Sequence, residues 1–186
     1  MNKLKLTIEL IPKTTHFNNV RSILPKKEWD RLRKESYSKA KNKCEICGDT
    51  GTNQGYRHNL ECHEVWEYRG DKQILVKLQS LCPLCHQVKH IGRARTKGKL
   101  KQLKEHFIKI NKVDGVTMER YIGAMFQEHI QRSKIKWDLN IRILTEKYKV
   151  SKELISEKYV KVVGKVSKWK KGKTPTKKKR PTRRKN

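Results

Sequence analysis

Two Cys-x-x-Cys pairs constrain the fold of this chain more than any other feature of its sequence. Each two-residue gap lets the backbone curl around a metal and present both sulfurs to it. Zn²⁺ takes four soft ligands at nearly equal distances, so two such pairs predict one tetrahedral structural zinc. The expected ligands are Cys44, Cys47, Cys82 and Cys85. In a reducing compartment, five cysteines with this spacing indicate a metal site rather than disulfides.

The charge of the chain predicts a polyanionic partner. Its 186 residues carry a formal net charge of +29, and 12 of the Lys and Arg residues lie within residues 165–186, which leaves +17 for the rest. Such self-repulsion favours nucleic acid as the partner. No stretch approaches the ~18 apolar residues of a membrane-spanning helix, and the N-terminus lacks an apolar signal core. We therefore expect a cytoplasmic protein with no membrane association.

Apolar periodicity predicts an α+β fold: a small zinc-stapled ββα core with flanking helices. Strands are expected at residues 4–10, 57–68 and 74–81, with a further possible strand within 135–143. Helices are expected at residues 26–41, from Pro83 onward, at 100–111 and at 118–133, with a possible last helix at 151–159. The expected organisation is an N-terminal strand and basic helix (1–43), a metal domain (44–95), a helical extension (96–164) and a disordered basic tail (165–186).

The tail has too little apolar surface to fold alone, since it is rich in Lys and Arg and interrupted by two prolines. One interpretation is an arm that follows phosphates, and the other is a solvated tail that only keeps the protein soluble; the charge of the rest favours the arm. Its candidate phosphate contacts are Lys177, Lys178, Lys179, Arg180, Arg183 and Arg184. Trp169, which has no core to join, is a candidate for base stacking.

The histidines near the second cysteine pair are not needed by a closed zinc site. His86 and His90 are four residues apart and would share one face of a helix, where they could hold a second metal. His63 and Glu64 lie on the preceding strand, which a ββα unit lays across that helix. Imidazoles and a divalent ion suffice to hydrolyse a phosphodiester. The alternative is that the histidines surround the zinc or lie on the surface of a plain zinc-ribbon binding protein, and spacing alone does not decide.

Two segments together resemble the HNH endonuclease family, in its branch with a four-cysteine zinc. These are Glu-Cys-His-Glu-Val-Trp-Glu-Tyr at residues 61–68 and Leu-Cys-Pro-Leu-Cys-His-Gln-Val-Lys-His-Ile-Gly at residues 81–92. The match extends over about residues 26–95. It implies a ββα-metal fold, one catalytic divalent ion such as Mg²⁺, Mn²⁺ or Ni²⁺, and a strand histidine that activates water to attack a phosphate of double-stranded DNA.

Carried over onto this sequence, the resemblance makes His63 the general base. It makes His86 a ligand of the catalytic metal, with His90 as a second ligand or a phosphate contact. Cys62 then occupies a position where the family binds metal, although on sequence alone a small half-buried strand residue is the better interpretation. In an alternative alignment His63 is a metal ligand and Glu64 takes the second place of the motif, as a catalytic residue.

The chain departs from the family at Lys77, which stands where the family has an Asn that pins the loop. Gln79, on the same strand face, is a candidate substitute. Arg57, His58 and Lys89 are candidate phosphate contacts. His16 and His106 are expected at the surface, and Trp66 and Tyr68 are interpreted as core residues.

Three functions are compatible with the sequence. The first is a metal-dependent HNH endonuclease that hydrolyses DNA. The second is a non-catalytic zinc-stabilised protein that binds DNA or RNA. The third, a structural protein of a nucleic-acid-containing assembly, explains the charge but not the His63–Glu64 pair.

Overall fold

An antiparallel hairpin followed by a short helix organises the protein. In a computed structural model, which describes residues 4–93 and 98–159, β1 (Glu61–Arg69) pairs with β2 (Lys72–Leu81). Gly70 closes the turn with φ +58°, a conformation that costs glycine little because it has no Cβ. The helix α3 (Pro83–Lys89) begins with Pro83 in its first turn, where a missing N–H loses no hydrogen bond. The predicted strand–strand–helix order around the second cysteine pair is confirmed.

A third strand joins this hairpin from the C-terminal part of the chain. The strand β3 (Asp138–Asn140) pairs in parallel with the beginning of β2, so the sheet order is β1-β2-β3. The sequence alternates over residues 135–143, but only these three residues form ladder bonds. The fold is thus of mixed α+β type, as expected.

Helices cover the two faces of the sheet. Their bounds are α1 (Val20–Ile23), α2 (Lys26–Lys39), α4 (Leu100–Asn111), α5 (Gly115–Arg132) and α6 (Ile143–Glu146). The helix α5 begins three residues earlier than predicted, because the Asp114 side chain accepts a hydrogen bond from Thr117 N and caps it. None of the described helices is both long and apolar enough to cross a membrane.

The predicted N-terminal strand is wrong. Residues 4–10 form no strand and do not join the sheet, because side chains and a helix end take up several of their backbone donors. Asn111 Oδ1 accepts from Lys5 N and Leu6 N, and the Lys89 carbonyl accepts from Glu9 N at 2.8 Å. The alternating pattern nevertheless predicts which side chains are buried, since Leu6 and Ile8 both lie in the core.

The possible last helix at 151–159 is not formed as one element. Lys152–Leu154 is a single 3₁₀ turn, and Ser156 N donates to the carbonyl of Ile23, which ties the segment to α1. The tail predicted at 165–186 lies outside the described residues.

Two apolar cores lie on opposite faces of the hairpin. One packs β1 and β2 against α2, β3 and α6 through Leu32, Trp66, Leu75, Leu78, Ile141 and Leu144. The other packs α3 against the N-terminal segment, α4 and α5 through Leu6, Ile8, Val88, Leu103, Phe107 and Met118. Each fully buried side chain of this size stabilises the fold by about 2 kcal/mol. The second core contains the buried cysteines, so it fixes α3 relative to the metal-binding groups.

Candidate metal centres

Four cysteines lie together where the first loop meets α3. One sulfur from each of Cys44, Cys47, Cys82 and Cys85 lies within 4.8 Å of all the others, and all four are free thiols. The first pair lies in a tight turn in which Gly48, at φ +78°, donates its N–H to the Cys44 carbonyl. The second pair spans the start of α3, where His86 N donates to the Cys82 carbonyl at 2.9 Å.

This cysteine cluster fits a tetrahedral zinc. Zn–S bonds of about 2.3 Å place ligand sulfurs about 3.8 Å apart, and Cys47 Sγ and Cys82 Sγ are 3.5 Å apart. Contacts between the sulfurs, the largest being that with Cys44, lower the pKa of Cys82 and raise the pKa of Cys85. Thiolates this close together repel one another, and a shared Zn²⁺ would offset that repulsion. The predicted four-cysteine metal site is confirmed as an arrangement of ligands.

Two further side chains reach the sulfurs from outside. Gln54 Nε2 lies 3.2 Å from Cys82 Sγ, and its Oε1 accepts from Leu84 N. His106 Nε2, on α4, lies 3.2 Å from Cys85 Sγ. His106, expected at the surface, thus contacts a sulfur of the cluster instead.

Three histidines form a second group of candidate ligands. A ring nitrogen from each of His63, His86 and His90 lies within 4.8 Å of the other two. The ring centroids are 4.9–5.4 Å apart. His63 lies on β1. His86 lies on α3, and His90 directly follows the last residue of that helix. The ββα unit itself therefore assembles this histidine cluster.

Two carboxylates fix the orientation of these rings. Glu9 Oε2 accepts from His63 Nε2 at 2.8 Å, and Glu61 Oε2 contacts His86 Nδ1. Burial alone would raise the pKa of Glu9, but the hydrogen bond from His63 and the charge of Lys89 outweigh it and lower the pKa to about 2. An ionised carboxylate only accepts, so the bonded nitrogen carries the proton and the other ring nitrogen is left as an acceptor. Metal-binding histidines are commonly oriented by a carboxylate in this way.

Burial favours the neutral, metal-binding form of two of the rings, those of His63 and His90. It lowers the pKa of His63 and lowers the pKa of His90 well below its ordinary value, with the neighbouring imidazoles contributing to the shift in His90. Metal ligation requires neutral imidazole. The donor set, its protonation and its outer carboxylates therefore fit a divalent transition metal.

Glu64 and Cys62 do not belong to this cluster, because alternate residues of a strand face opposite sides of the sheet. Glu64 Oε1 accepts from Val20 N at 2.8 Å, and its Oε2 accepts from Trp66 Nε1 at 3.2 Å. Burial raises the pKa of Glu64 to about 7. Cys62 packs against the core that contains α2. His63 therefore lies among the candidate ligands, whereas the Glu64 side chain lies on the opposite face of the strand.

Lys89 does not reach out toward a phosphate as predicted. It is 4% exposed, and its ammonium group donates to Thr7 Oγ1 at 2.8 Å and pairs with Glu9. The helix position that looked basic in sequence is turned inward, because the N-terminal segment brings a carboxylate to it. Lys89 supports Glu9, and through Glu9 it supports His63.

Lys77, at the family's Asn position, lies on β2 opposite Val65 and contacts Glu45 Oε2 at 3.5 Å. Gln79 lies directly opposite His63 in the sheet and is 9% exposed, so it is on the face that bears the histidine cluster.

Two clefts open beside the histidine cluster, and both include His90 and Arg93. The smaller, of about 290 Å³, is named here the Lys99 cleft and is lined by Glu61, His86, Gln87, His90, Arg93, Lys99 and Leu103. The larger, of about 530 Å³, is named the Phe17 cleft and is bounded by Lys13, His16, Phe17, His90, Arg93 and Phe126. Among the other predicted contacts, Arg57 is exposed, and the six tail residues from Lys177 to Arg184 lie outside the described residues, as does Trp169.

Three site residues were not assigned from the sequence. Glu61 lies two residues before His63 on the same strand face, so strand alternation could have found it. His106 lies within an ordinary helical pattern, and Glu9 is far in sequence from His63, which it contacts. No local pattern in the sequence therefore indicated either residue. Comparison of the chain with protein-family models, with curated proteins and with solved structures finds no match.

Proposed function

We propose that this protein is a metal-dependent endonuclease of the HNH type that hydrolyses DNA. The observation that carries the proposal is the histidine cluster: one ring nitrogen from each of three histidines, on β1 and at α3, lies within 4.8 Å of the other two, and α3 also carries part of the four-cysteine site. A purely structural zinc protein requires the cysteines but not a cluster of three histidines, one of them buried, with two carboxylates in contact with their rings.

The surroundings of the cluster suit a phosphodiester substrate. Arg93 lines both clefts beside His90, and Lys99 and Lys13 line one each. The described residues include 31 Lys and Arg against 18 Asp and Glu, so the folded part is basic without the tail. Such a surface attracts DNA through its phosphates, with little information about sequence.

In this proposal His63, His86 and His90 hold the catalytic ion. A divalent ion bound there stabilises negative charge on the phosphate and on the leaving oxygen. Glu9 and Glu61 fix the tautomer and the orientation of His63 and His86 through these hydrogen bonds. With both nitrogens of His63 in use, its predicted role as general base passes to another group.

His58 is connected to the cluster through Glu61, whose other carboxylate oxygen contacts His86. His58 Nε2 donates to Glu61 Oε1 at 3.0 Å, and the His58 side chain is 52% exposed. This bond leaves His58 Nδ1 as the acceptor. We propose that His58 Nδ1 accepts a proton from the attacking water. The water oxygen then bonds to phosphorus and the ester P–O bond breaks. The leaving oxygen takes a proton from solvent.

The test is cleavage of supercoiled plasmid in Mg²⁺, Mn²⁺ or Ni²⁺, with bound metal measured in the same preparations. His86→Ala is expected to lose both the second metal and cleavage. His58→Ala is expected to keep the metal and to cut at least about a hundredfold more slowly, as general bases typically contribute. His16→Ala, which removes an exposed imidazole outside the cluster, controls for metal content. Wild-type protein that binds DNA and cuts with none of the metals would favour the non-catalytic binding protein instead.

A further inference from the structure

The Phe17 cleft is continuous with the histidine cluster but is not used by the proposed hydrolysis. It lies between the N-terminal segment and α5, and its wall includes His90 and Gly92. Its volume of about 530 Å³ falls within the range of small-ligand sites. A group in this cleft would therefore lie next to whatever the histidine cluster acts upon.

Cationic and ionisable side chains surround its mouth. Lys13 and His16 are exposed, and Arg93 is exposed where the cleft meets His90. His129, on α5, adds no positive charge, because burial lowers its pKa, and its buried Nδ1 atom has no hydrogen-bond partner. Glu9 is the acid among the lining residues, and it is already engaged by His63 and Lys89. The mouth thus favours an anion.

The inside of the cleft is apolar and aromatic. Leu10 and Ile11 lie along it, and Phe126 contributes its ring from α5. Phe17 is 82% exposed, the most exposed of the large apolar side chains in the described part of the chain. His16 contacts its ring edge-on, with centroids 5.6 Å apart, so the ring is flanked rather than covered. Leaving an aromatic face in water gains nothing for the fold, whereas an aromatic face can stack on a nucleobase.

We propose that the Phe17 cleft is a subsite for one unpaired nucleotide next to the phosphate that is cleaved. The base stacks on Phe17, and its phosphate contacts Lys13 and His16. A base inside an intact duplex is stacked on both faces and cannot enter such a cleft without being flipped out. The inference rests on the proposed nuclease function and narrows its substrate to DNA with an unpaired nucleotide at the cut site, rather than uniform duplex.

The test is binding measured without divalent metal, by fluorescence anisotropy on three labelled DNAs of equal length. These are a perfect duplex, the same duplex with one bulged nucleotide, and a single strand. Wild-type protein is expected to bind the bulged duplex more tightly than the perfect one. Phe17→Ala is expected to weaken binding to the bulged duplex about tenfold and to leave the perfect duplex unchanged, whereas Phe17→Tyr, which keeps an aromatic face, retains the preference.

Two matched variants separate stacking from charge and from general surface change. Val116→Ala removes an apolar side chain that is 61% exposed but does not line the cleft, and it is expected to bind all three DNAs as the wild type does. Lys13→Ala is expected to weaken binding to the bulged duplex more than Lys109→Ala, which removes an exposed charge from α4.

The outcomes distinguish this subsite from the nuclease proposal. Equal binding of bulged and perfect duplexes, or an equal loss on both in Phe17→Ala, overturns the subsite even if the same protein cuts plasmid in a metal-dependent way. A Phe17-dependent preference for the bulged duplex upholds the subsite even if no metal supports cleavage, in which case only the nuclease function fails.

Discussion

Glu9 Oε2 lies 2.8 Å from His63 Nε2, although 54 positions separate the two residues in the chain. The same carboxylate pairs with the buried ammonium group of Lys89. The N-terminal segment therefore serves as part of the candidate site: it supplies the group that orients a strand histidine, and it turns a helix lysine away from solvent.

Removing the Glu9 carboxylate is expected to weaken metal binding at the histidine cluster by about 10- to 100-fold, as is usual for groups that orient metal ligands. Glu9→Gln alone would leave the Lys89 ammonium buried without a counter-charge, which destabilises the fold. We therefore expect the weaker affinity in the double variant Glu9→Gln with Lys89→Met. Calorimetric titration with Ni²⁺ measures this affinity.

Glu105→Gln, which removes an exposed acid from α4, is the control for that titration. A double variant that remains folded and binds Ni²⁺ within twofold of the wild type would show that Glu9 does not orient His63.

The Glu9 network is also expected to make stability depend on acid. The pKa of Glu9 is lowered from about 4.5 to about 2, so its contribution is fully present above pH 4.5 and is lost as the pH falls toward 2. Because Glu9 is partly exposed, we expect a loss of about 2 kcal/mol. Urea unfolding at pH 6 and pH 3 should therefore show a larger fall for the wild type than for the double variant. Zinc loss in acid affects both proteins, so the difference between them isolates Glu9; equal falls would contradict the prediction.

Local sequence patterns predicted the elements that carry metal ligands. The two Cys-x-x-Cys pairs and Pro83 at a helix start each specify a short piece of backbone. The N-terminal strand failed because alternation specifies burial but not a partner: Asn111 and Lys89, both remote in sequence, take the hydrogen bonds that a strand would need.

The candidate site was predictable only where its members are near one another in sequence. His86 and His90 follow from helical spacing, and His63 from the motif on β1. Strand alternation separates Glu64 from His63 and brings Glu61 beside His86. Lys89 appeared accessible because its partner, Glu9, comes from a segment 80 positions away. Tertiary contacts of that kind leave no local pattern.

The cysteine cluster is expected to hold one zinc, and its loss is expected to unfold the region around α3. Cys44→Ser should lose zinc and destabilise the protein, since structural zinc contributes directly to folding. Cys62→Ser is the matched control: it removes the fifth cysteine, which packs in the opposite core, and should retain full zinc content. Zinc released to a colorimetric chelator and the unfolding midpoint together report the result.

His106 is expected to slow the release of that zinc through its contact with Cys85 Sγ. His106→Ala should keep the wild-type zinc content but lose the metal faster to the chelator. An unchanged release rate would mean that the contact does not affect the metal.

Gly51 is expected to tolerate no side chain. A Cβ there would fall onto the His58 carbonyl oxygen and within 2.8 Å of Pro83 Cδ, where the first loop packs on the start of α3. Gly51→Ala should cost about 2 kcal/mol of unfolding free energy, as overpacking does. Gly123→Ala, within α5 with nothing inside 4 Å of the added Cβ, should instead stabilise by about 1 kcal/mol. Two equal shifts in the unfolding midpoint would contradict the close-packing argument.

Deleting residues 165–186 is expected to reduce the salt dependence of DNA binding. The segment carries 12 of the 47 Lys and Arg residues, and each phosphate contact that is lost lowers the slope of log affinity against log salt by about 0.9. The described residues remain basic without it, so the shortened protein should still bind DNA and, under the proposed function, still cut it at high protein concentration. The slope of log affinity against log salt is measured by titrating a labelled duplex at salt concentrations from about 50 to 200 mM, in steps of about 50 mM. If the slope is unchanged, the segment makes no phosphate contacts and only keeps the protein soluble; if the slope falls, the segment contributes affinity through phosphate contacts.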